Sequence, residues 1–239
     1  MSRIKSFLKS ITPFEYCLWA VCALAIVLSF LLCGNKSYLN LTGALIGVTA
    51  LIFIAKGNVI GNFLGVAFAV FYGVISYFPR YYGEMITYLG MSAPAAIVSI
   101  VAWLKHPFQG KKTEVKINRL AGKEYLFAML LSVGVTVAFY FILRALNTAN
   151  LIWSTASVLT SFYASYLNIR RSPFYAIAYC ANDVVLIVLW AILSVQNPAY
   201  VCMVICFAAF LLNDIYGFVS WTRLQKKQRK AEENPEQTE

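Results

Sequence analysis

Residues 173–195, PFYAIAYCANDVVLIVLWAILSV, and residues 198–222, PAYVCMVICFAAFLLNDIYGFVSWT, decide the fold. Each is an apolar run long enough, at 1.5 Å per residue, to cross a hydrocarbon layer of roughly 30 Å. Each also carries an Asn–Asp pair near its centre, Asn182–Asp183 and Asn213–Asp214. A carboxylate at that depth costs about 2.5–3.5 kcal/mol on insertion scales, and intramembrane ionisable groups usually mark a functional site.

The composition of the whole chain agrees with a membrane protein. The 239 residues are 60% hydrophobic and 13% charged, with a mean hydropathy of +0.69, which is far from the composition of soluble domains. The six cysteines fall in apolar runs without CxxC spacing, so the sequence predicts no disulfide framework and no metal site. We expect no cofactor and no enzymatic activity, because the chain has no Walker loop, HExxH motif or nucleophile elbow.

The fold class predicted is an all-α polytopic membrane protein with eight spans. They lie near residues 14–34, 39–56, 59–79, 84–104, 124–146, 150–168, 173–195 and 198–222. With both termini on one side, seventeen of the twenty Lys and Arg residues fall on that side, and only Lys36, Arg80 and Arg144 fall on the other. By the positive-inside rule the crowded side is cytoplasmic.

A weak internal repeat divides the chain. Residues 55–77 resemble residues 168–190, and Ser99, Trp103 and Lys105 match Gly217, Trp221 and Arg223. Helices two to four thus correspond to helices six to eight, as two parallel three-helix bundles, with an additional first helix and a linker helix between the bundles (1+3+1+3). The predicted segments are the N-terminus and first helix at 1–38, the first bundle at 39–105, the loop and linker helix at 106–149, the second bundle at 150–223 and a disordered cytoplasmic tail at 224–239.

The repeat places the buried acids unevenly. Phe68–Ala69 and Ala95–Ala96 stand in the first half at or next to the positions where the second half has the two Asn–Asp pairs, so we expect all the buried acid to belong to one half. A substrate cavity between the halves is the favoured interpretation, and hydrogen bonding between helices in a non-transporting assembly subunit is the alternative. The candidate substrate-binding residues are Asn182, Asp183, Asn213, Asp214, Tyr179, Tyr175, Tyr216 and Trp190.

Aromatic side chains extend the candidate site. The rings at helical spacing from the carboxyl groups are suited to a planar cation. Trp103 and Trp221 lie near the cytoplasmic ends of corresponding helices. They are candidates for a cytoplasmic gate or, the plainer interpretation, for anchors at the membrane interface.

The stretches RRSPFYAIAYCANDVVLIVLW (170–190), LLNDIYGFVSWTR (211–223) and YYGEM (81–85) resemble the Pnu family of vitamin transporters, over roughly residues 40 to 224. The resemblance implies import of nicotinamide riboside, a vitamin B3 precursor used in NAD biosynthesis, by facilitated diffusion through one central site with alternating access. It also implies a SWEET-like duplication, a bacterial inner-membrane location with both termini cytoplasmic, and a homo-oligomer such as a trimer. No nucleic-acid partner is expected.

The sequence leaves open which of several vitamins is the substrate. Family members that carry nicotinamide riboside often have a Trp-x-x-Trp-x-x-x-Asn pattern, whereas Tyr175 and Ala178 stand at the tryptophan positions before Asn182 here. Relatives carry thiamine, riboflavin or deoxynucleosides. Two midplane carboxyl groups favour a cation, and nicotinamide riboside and thiamine are the cations in that set.

Overall fold

The computed structural model describes residues 11–32 and 38–233, with the side chains of residues 111–113 left aside. Nearly all of this part is helical because long apolar runs must satisfy their backbone groups internally in lipid. The helices are α1 (Pro13–Leu32), α2 (Tyr38–Ala55), α3 (Ile60–Tyr77), α4 (Tyr82–Thr87), α5 (Ala93–Lys105), α6 (Gly122–Ala145), α7 (Leu151–Ile169), α8 (Tyr175–Gln196) and α9 (Val201–Glu233). A π-helical turn, Tyr88–Ser92, joins α4 to α5 in one continuous rod, and a 3-10 turn, Pro198–Tyr200, precedes α9.

Seven helical segments of the described chain are long and apolar enough to cross a membrane. They are α1, α2, α3, the α4–α5 rod, α6, α8 and the α9 segment from Pro198. Helix α7, the sixth of the eight spans that the sequence predicts, is not among them, because serines and threonines run along its length. Its buried face carries Ser154, Ser157, Ser161 and Ser165, so the polar side chains point into the protein and not outward.

A β-hairpin replaces the loop expected after α5. Strand β1 (Pro107–Phe108) pairs with strand β2 (Lys111–Val115) in antiparallel fashion. The Val115 amide also donates to the carbonyl of Gly57 in the α2–α3 turn at 3.0 Å. Beside this turn, Lys56 forms an ion pair of 2.9 Å with Glu15 at the start of α1. The starts of α1 and α3, the hairpin and the extension of α9 therefore meet at one end of the protein, called the basic end below.

Helix α9 continues well beyond its apolar part, so the prediction of a disordered tail from residue 224 is wrong for residues 224–233. Gln228 is buried, and its Oε1 accepts from the Ile117 amide at 2.9 Å while its Nε2 donates to the Val115 carbonyl at 2.9 Å. These bonds fix the helix to the segment that follows the hairpin. Residues 1–10, 33–37 and 234–239, which include basic residues of the predicted cytoplasmic side and Lys36 of the other side, lie outside the described part of the chain.

The helix ends farthest from the basic end form the other end of the protein, called the opposite end below. There the hydroxyl of Tyr81 donates to the carbonyl of Leu189 at 3.1 Å, and Asn150 Nδ2 donates to the same hydroxyl at 3.1 Å. Trp190 Nε1 donates to the hydroxyl of Tyr72 at 2.7 Å. The bonds of Tyr81 with Leu189 and of Trp190 with Tyr72 join the first unit, defined here as residues 38–105, to the second unit, residues 151–233.

Two turns of the same form lie at corresponding places of the two units, with Ile54 in the place of Asn168, one residue from the alignment of residues 55–77 with residues 168–190. In the α2–α3 turn the Gly57 and Asn58 amides donate to the carbonyls of Ile54 and Phe53, with Gly57 at a φ of +65°. In the α7–α8 turn the Arg171 and Ser172 amides donate to the carbonyls of Asn168 and Leu167, with Arg171 at a φ of +59°. Glycine adopts this left-handed conformation freely, whereas arginine does so at some cost.

Candidate functional site

A cavity lies between the two units, halfway along the helices. It encloses about 810 Å³ of space free of protein atoms, counting the part that opens outward. The second unit supplies most of its polar lining from α7, α8 and α9, and the first unit supplies most of its small and apolar lining. The lining includes Gly47, Ile54, Asn62, Gly65, Phe68, Ala69, Tyr88, Ala95, Ala96, Ser99, Ser161, Ser165, Asn168, Tyr175, Tyr179, Asn182, Asp183, Phe210 and Asp214.

Asn182 is held in one orientation by the polar face of α7. Its Oδ1 accepts from Ser161 Oγ at 2.8 Å and from Thr160 Oγ1 at 2.9 Å. Because the carbonyl side of the amide is occupied in this way, the Nδ2 donor is the side left for other partners. The hydroxyl of Tyr88, across the cavity in the first unit, lies within hydrogen-bonding reach of this amide.

The carboxyl groups of Asp183 and Asp214 both line the cavity, on α8 and α9. They are about 3% exposed and close enough for a side-chain hydrogen bond to each other. Asp183 Oδ2 is buried and has no hydrogen-bond partner. Neither residue takes part in an ion pair among the described residues. The cavity therefore concentrates acidic groups without a protein cation, an arrangement that a cationic ligand would complement.

Aromatic rings surround these carboxyl groups. Tyr179 lines the cavity with its hydroxyl 3.2 Å from Ser165 Oγ, and Tyr175 lies deeper, almost fully buried. From the first unit, Phe68 packs edge to face against Phe210, with ring centroids 5.1 Å apart. Apolar faces of this kind suit a planar ring, and a polar carboxyl at the rim fixes its orientation.

A second polar group lies toward the basic end of the cavity. Asn168 Nδ2 donates to Asn62 Oδ1 at 3.1 Å and to Ser99 Oγ at 3.4 Å, linking the two units. Asn62 Nδ2 and Asn168 Oδ1 are both buried without a partner. Two residues of the lining thus hold one donor and one acceptor without a partner, and a ligand amide or a pair of hydroxyl groups would satisfy both.

Three of the predicted binding residues lie outside this cavity. Asn213 turns away from it, and its Nδ2 donates to the Ala209 carbonyl at 2.7 Å and to Cys22 Sγ at 3.4 Å. Tyr216 donates its hydroxyl to Glu15 at 2.8 Å near the basic end. Trp190 is fully buried in the aromatic cluster of the opposite end. Adjacent residues on a helix point about 100° apart, and α9 is rotated so that Asp214 faces the cavity while Asn213 faces Cys22 of α1.

Trp103 and Trp221 lie just below the cavity at the basic end. They are 2% and 0% exposed, so the interpretation as interface anchors does not fit. Their ring centroids are 5.4 Å apart. Trp103 Nε1 donates to the carbonyl of Asn168 at 3.2 Å, and Trp221 Nε1 donates to the carbonyl of Ile54 at 2.7 Å.

Several lining residues were missed in the sequence. The serines of α7 recur every three to four residues, and that spacing predicts a polar buried face. Phe68, Tyr88 and Phe210 gave no such signal, because aromatic residues are frequent throughout the chain. The expectation that all buried acid belongs to the second half is wrong, because Glu84 in the first unit is fully buried.

A family model for the nicotinamide mononucleotide transporter family matches residues 37–223, which is most of the chain. The chain belongs to this family. The matched region runs from the start of the first unit to just past the tryptophan pair, so it contains every residue of the cavity lining. Membership of the nicotinamide mononucleotide transporter family makes the chain a multi-pass membrane protein of a transporter family, as the Pnu resemblance predicted.

Individual members of the nicotinamide mononucleotide transporter family agree over nearly the whole length. A nicotinamide riboside transporter PnuC of Neisseria mucosa is 26% identical, over 90% of this chain and 83% of the relative. One of Haemophilus influenzae is 24% identical, over 95% of this chain and 97% of the relative. A crystal structure of the vitamin B3 transporter PnuC superposes with a TM-score of 0.81 at 26% identity, over 91% of this chain and 94% of that chain.

Proposed function

We propose that this protein imports nicotinamide riboside through the central cavity, by facilitated diffusion with alternating access. The observation that carries the proposal is the pair of carboxyl groups, Asp183 and Asp214, in a cavity lined by aromatic rings and lacking a protein cation among the described residues. Nicotinamide riboside offers a planar pyridinium cation, a carboxamide and ribose hydroxyls. Two relatives named as nicotinamide riboside transporters support this choice.

Within this proposal, each part of the lining binds one part of the substrate. The pyridinium ring packs among the rings of Tyr179, Phe68 and Phe210, and Asp183 or Asp214 balances its charge. Asn182 Nδ2 donates to a ribose or carboxamide oxygen. The unpaired Asn62 Nδ2 and Asn168 Oδ1 bind the remaining polar groups of the substrate. They take the place of Asn213, which was predicted to bind the substrate.

Access alternates through the two ends of the cavity. At the basic end the tryptophan latch, defined as Trp103 and Trp221 with the carbonyls that they bind, joins the first unit to the second in both directions. Ile54 and Asn168 occupy the same place in the two corresponding turns, so the two indole bonds are equivalent under the repeat. The latch closes the cytoplasmic exit, with the basic end facing the cytoplasm of a bacterial inner membrane as the positive-inside rule predicts.

The arrangement of the units belongs to the same proposal. Residues 38–105 and 151–223 form two parallel three-helix bundles, α1 is the additional helix and α6 is the linker. The two bundles rock about the central site, as in other transporters built from repeats. That the protein forms a homo-oligomer such as a trimer is a prediction from the family resemblance.

A binding titration on the purified protein tests the substrate assignment. Nicotinamide riboside, thiamine, riboflavin and thymidine are compared with reduced nicotinamide riboside, which has nearly the same shape but no positive charge. We expect the oxidised form to bind most tightly, and to enter proteoliposomes in the absence of an ion gradient. Tighter binding of thiamine would make thiamine the proposed substrate. If none of the five ligands enters the proteoliposomes, the protein is better explained as a non-transporting assembly subunit.

Three variants test the residues. Asp183→Asn should weaken binding of the cation by about tenfold to a hundredfold, since a charged contact contributes about 1.5–3 kcal/mol. It should change binding of the neutral reduced form much less. Asn182→Ala should lower affinity, while Asn213→Ala, the same change at the asparagine that faces α1, should lower stability and leave affinity near its original value. Equal losses for both ligands, or equal effects of both Ala variants, would contradict the site.

A further inference from the structure

Glu84 is a buried carboxyl group that the central site does not use. It lies on α4 and is 0% exposed. Its Oε2 accepts a hydrogen bond of 3.1 Å from Ser157 Oγ on α7, and its Oε1 is buried without a partner. No ion pair of the described chain includes it. Burying a carboxyl group with one oxygen unused is costly, so this position requires a reason beyond packing.

The surroundings of Glu84 are aromatic. Tyr72 on α3, Tyr81 in the α3–α4 turn and Tyr88 in the π-helical turn all lie within electrostatic range of the carboxyl group. The rings of Tyr72 and Tyr88 are 4.2 Å apart, centroid to centroid. A carboxyl group among aromatic side chains, with no lysine or arginine paired to it, is a group that attracts organic cations.

Glu84 also lies between the opposite end and the cavity. Tyr81, on one side of it, receives the hydrogen bond of Asn150 at the opposite end. Tyr88, on the other side, lines the cavity and reaches Asn182. Along α4 and the π-helical turn, Glu84 therefore stands between the opposite end and the cavity residue Tyr88.

We propose that Glu84, with the rings of Tyr72 and Tyr88, forms an entry subsite for an organic cation, separate from the central site and occupied before it. This inference rests on the proposed function, because it needs a cationic substrate. The Ser157 bond joins the first unit to the second, so opening of this end breaks the bond and frees both carboxyl oxygens for the entering cation. Return of Ser157 to Glu84 closes the subsite after the cation has moved on.

An entry subsite affects rates more than affinity. A carboxylate on the route lowers the electrostatic barrier to a cation in both directions, so association and dissociation change together. The cation bound in the central cavity no longer touches Glu84, so its dissociation constant depends on Asp183 and Asp214 instead. A neutral ligand of the same shape gains nothing from the subsite.

The test is stopped-flow binding to the purified full-length protein, with Glu84→Gln as the variant. Glutamine has the same shape and keeps an acceptor for Ser157, but it lacks the charge. We expect the association rate of nicotinamide riboside to fall about tenfold, its dissociation constant to change less than about threefold, and the association rate of reduced nicotinamide riboside to change little. Ser157→Ala, which keeps the charge, should leave the preference for the cation intact.

Two outcomes would overturn the entry subsite. Equal slowing of the cationic and neutral ligands would make Glu84 a structural residue, and a weaker dissociation constant without slower association would make it part of the central site. If Glu84→Gln does not fold, Glu84→Asp provides the test, since it must retain the faster association of the cation over the neutral form. Failure of the unmodified protein to bind either ligand would instead contradict the proposed function, so the two failures are distinguishable.

Discussion

Replacing either indole of the tryptophan latch by a phenyl ring should open the basic end of the cavity. Trp103→Phe removes the donor to the Asn168 carbonyl, and Trp221→Phe removes the donor to the Ile54 carbonyl, while each keeps an aromatic ring. A hydrogen bond of this kind contributes about 1 kcal/mol, which corresponds to roughly a fivefold shift toward the open form. Because the two bonds are equivalent under the repeat, both variants should give a similar shift.

The shift can be measured by chemical labelling of the cavity. A cysteine placed at Ala95, in the cavity lining, would be the reporter in a protein whose six native cysteines are replaced. A membrane-impermeant thiol reagent added at the basic end should label it about fivefold faster in each single variant. The double variant should be faster still, though not strictly additive, because the two rings are in contact.

Trp19→Phe is the matched control for the latch. Its indole donates to Thr49 Oγ1 at 3.1 Å, a bond between α1 and α2 that does not join the two units. This variant loses the same group and the same volume, so it should leave labelling of the reporter unchanged. The reasoning would be refuted if all three variants labelled alike, or if only one of the two latch variants labelled faster.

Two further predictions concern packing and the basic end. A Cβ on Gly47 would lie 2.2 Å from a phenylalanine ring of α9, so Gly47→Ala should destabilise the protein by about 1–3 kcal/mol. Gly65→Ala meets no atom within 4 Å and should leave the melting temperature unchanged. Gln228→Ala should speed hydrogen exchange at the Ile117 amide, its hydrogen-bond partner, by about tenfold, whereas Arg229→Ala should not, because Arg229 is exposed. If hydrogen exchange at the Ile117 amide does not change in Gln228→Ala, contacts other than those of Gln228 hold the segment after the hairpin in place.

The hydrophobic runs of the sequence were enough to predict the membrane class, the number of long helices and the approximate ends of each, except the C-terminal end of α9. These features depend on the length and composition of a run, which are local properties. Helix α7 was found in the same way, although its serines lower its hydropathy. The helical conformation of residues 224–233 could not be predicted, because it depends on the contact of Gln228 with a hairpin more than a hundred residues away.

The candidate site could be predicted only in part, for a geometric reason. An Asn–Asp pair on a helix is visible in the sequence, but which member faces the cavity depends on the rotation of that helix against its neighbours. On α8 both members line the cavity, whereas on α9 only Asp214 does. The stretch YYGEM gives no sign that Glu84 is buried. Its carboxyl group contacts Ser157, which is far away in sequence.

Helix α9 carries three of the contacts described above at intervals of seven residues. Asp214 lies in the cavity, Trp221 in the latch and Gln228 against the segment after the hairpin. Seven residues are close to two helical turns, so the three side chains follow one stripe of a single rigid rod. If the cargo docks against Asp214 as proposed, any tilt of this rod would also strain the indole bond of Trp221 and the hydrogen bonds of Gln228. Occupancy of the cavity would then be transmitted mechanically to the surface at the basic end.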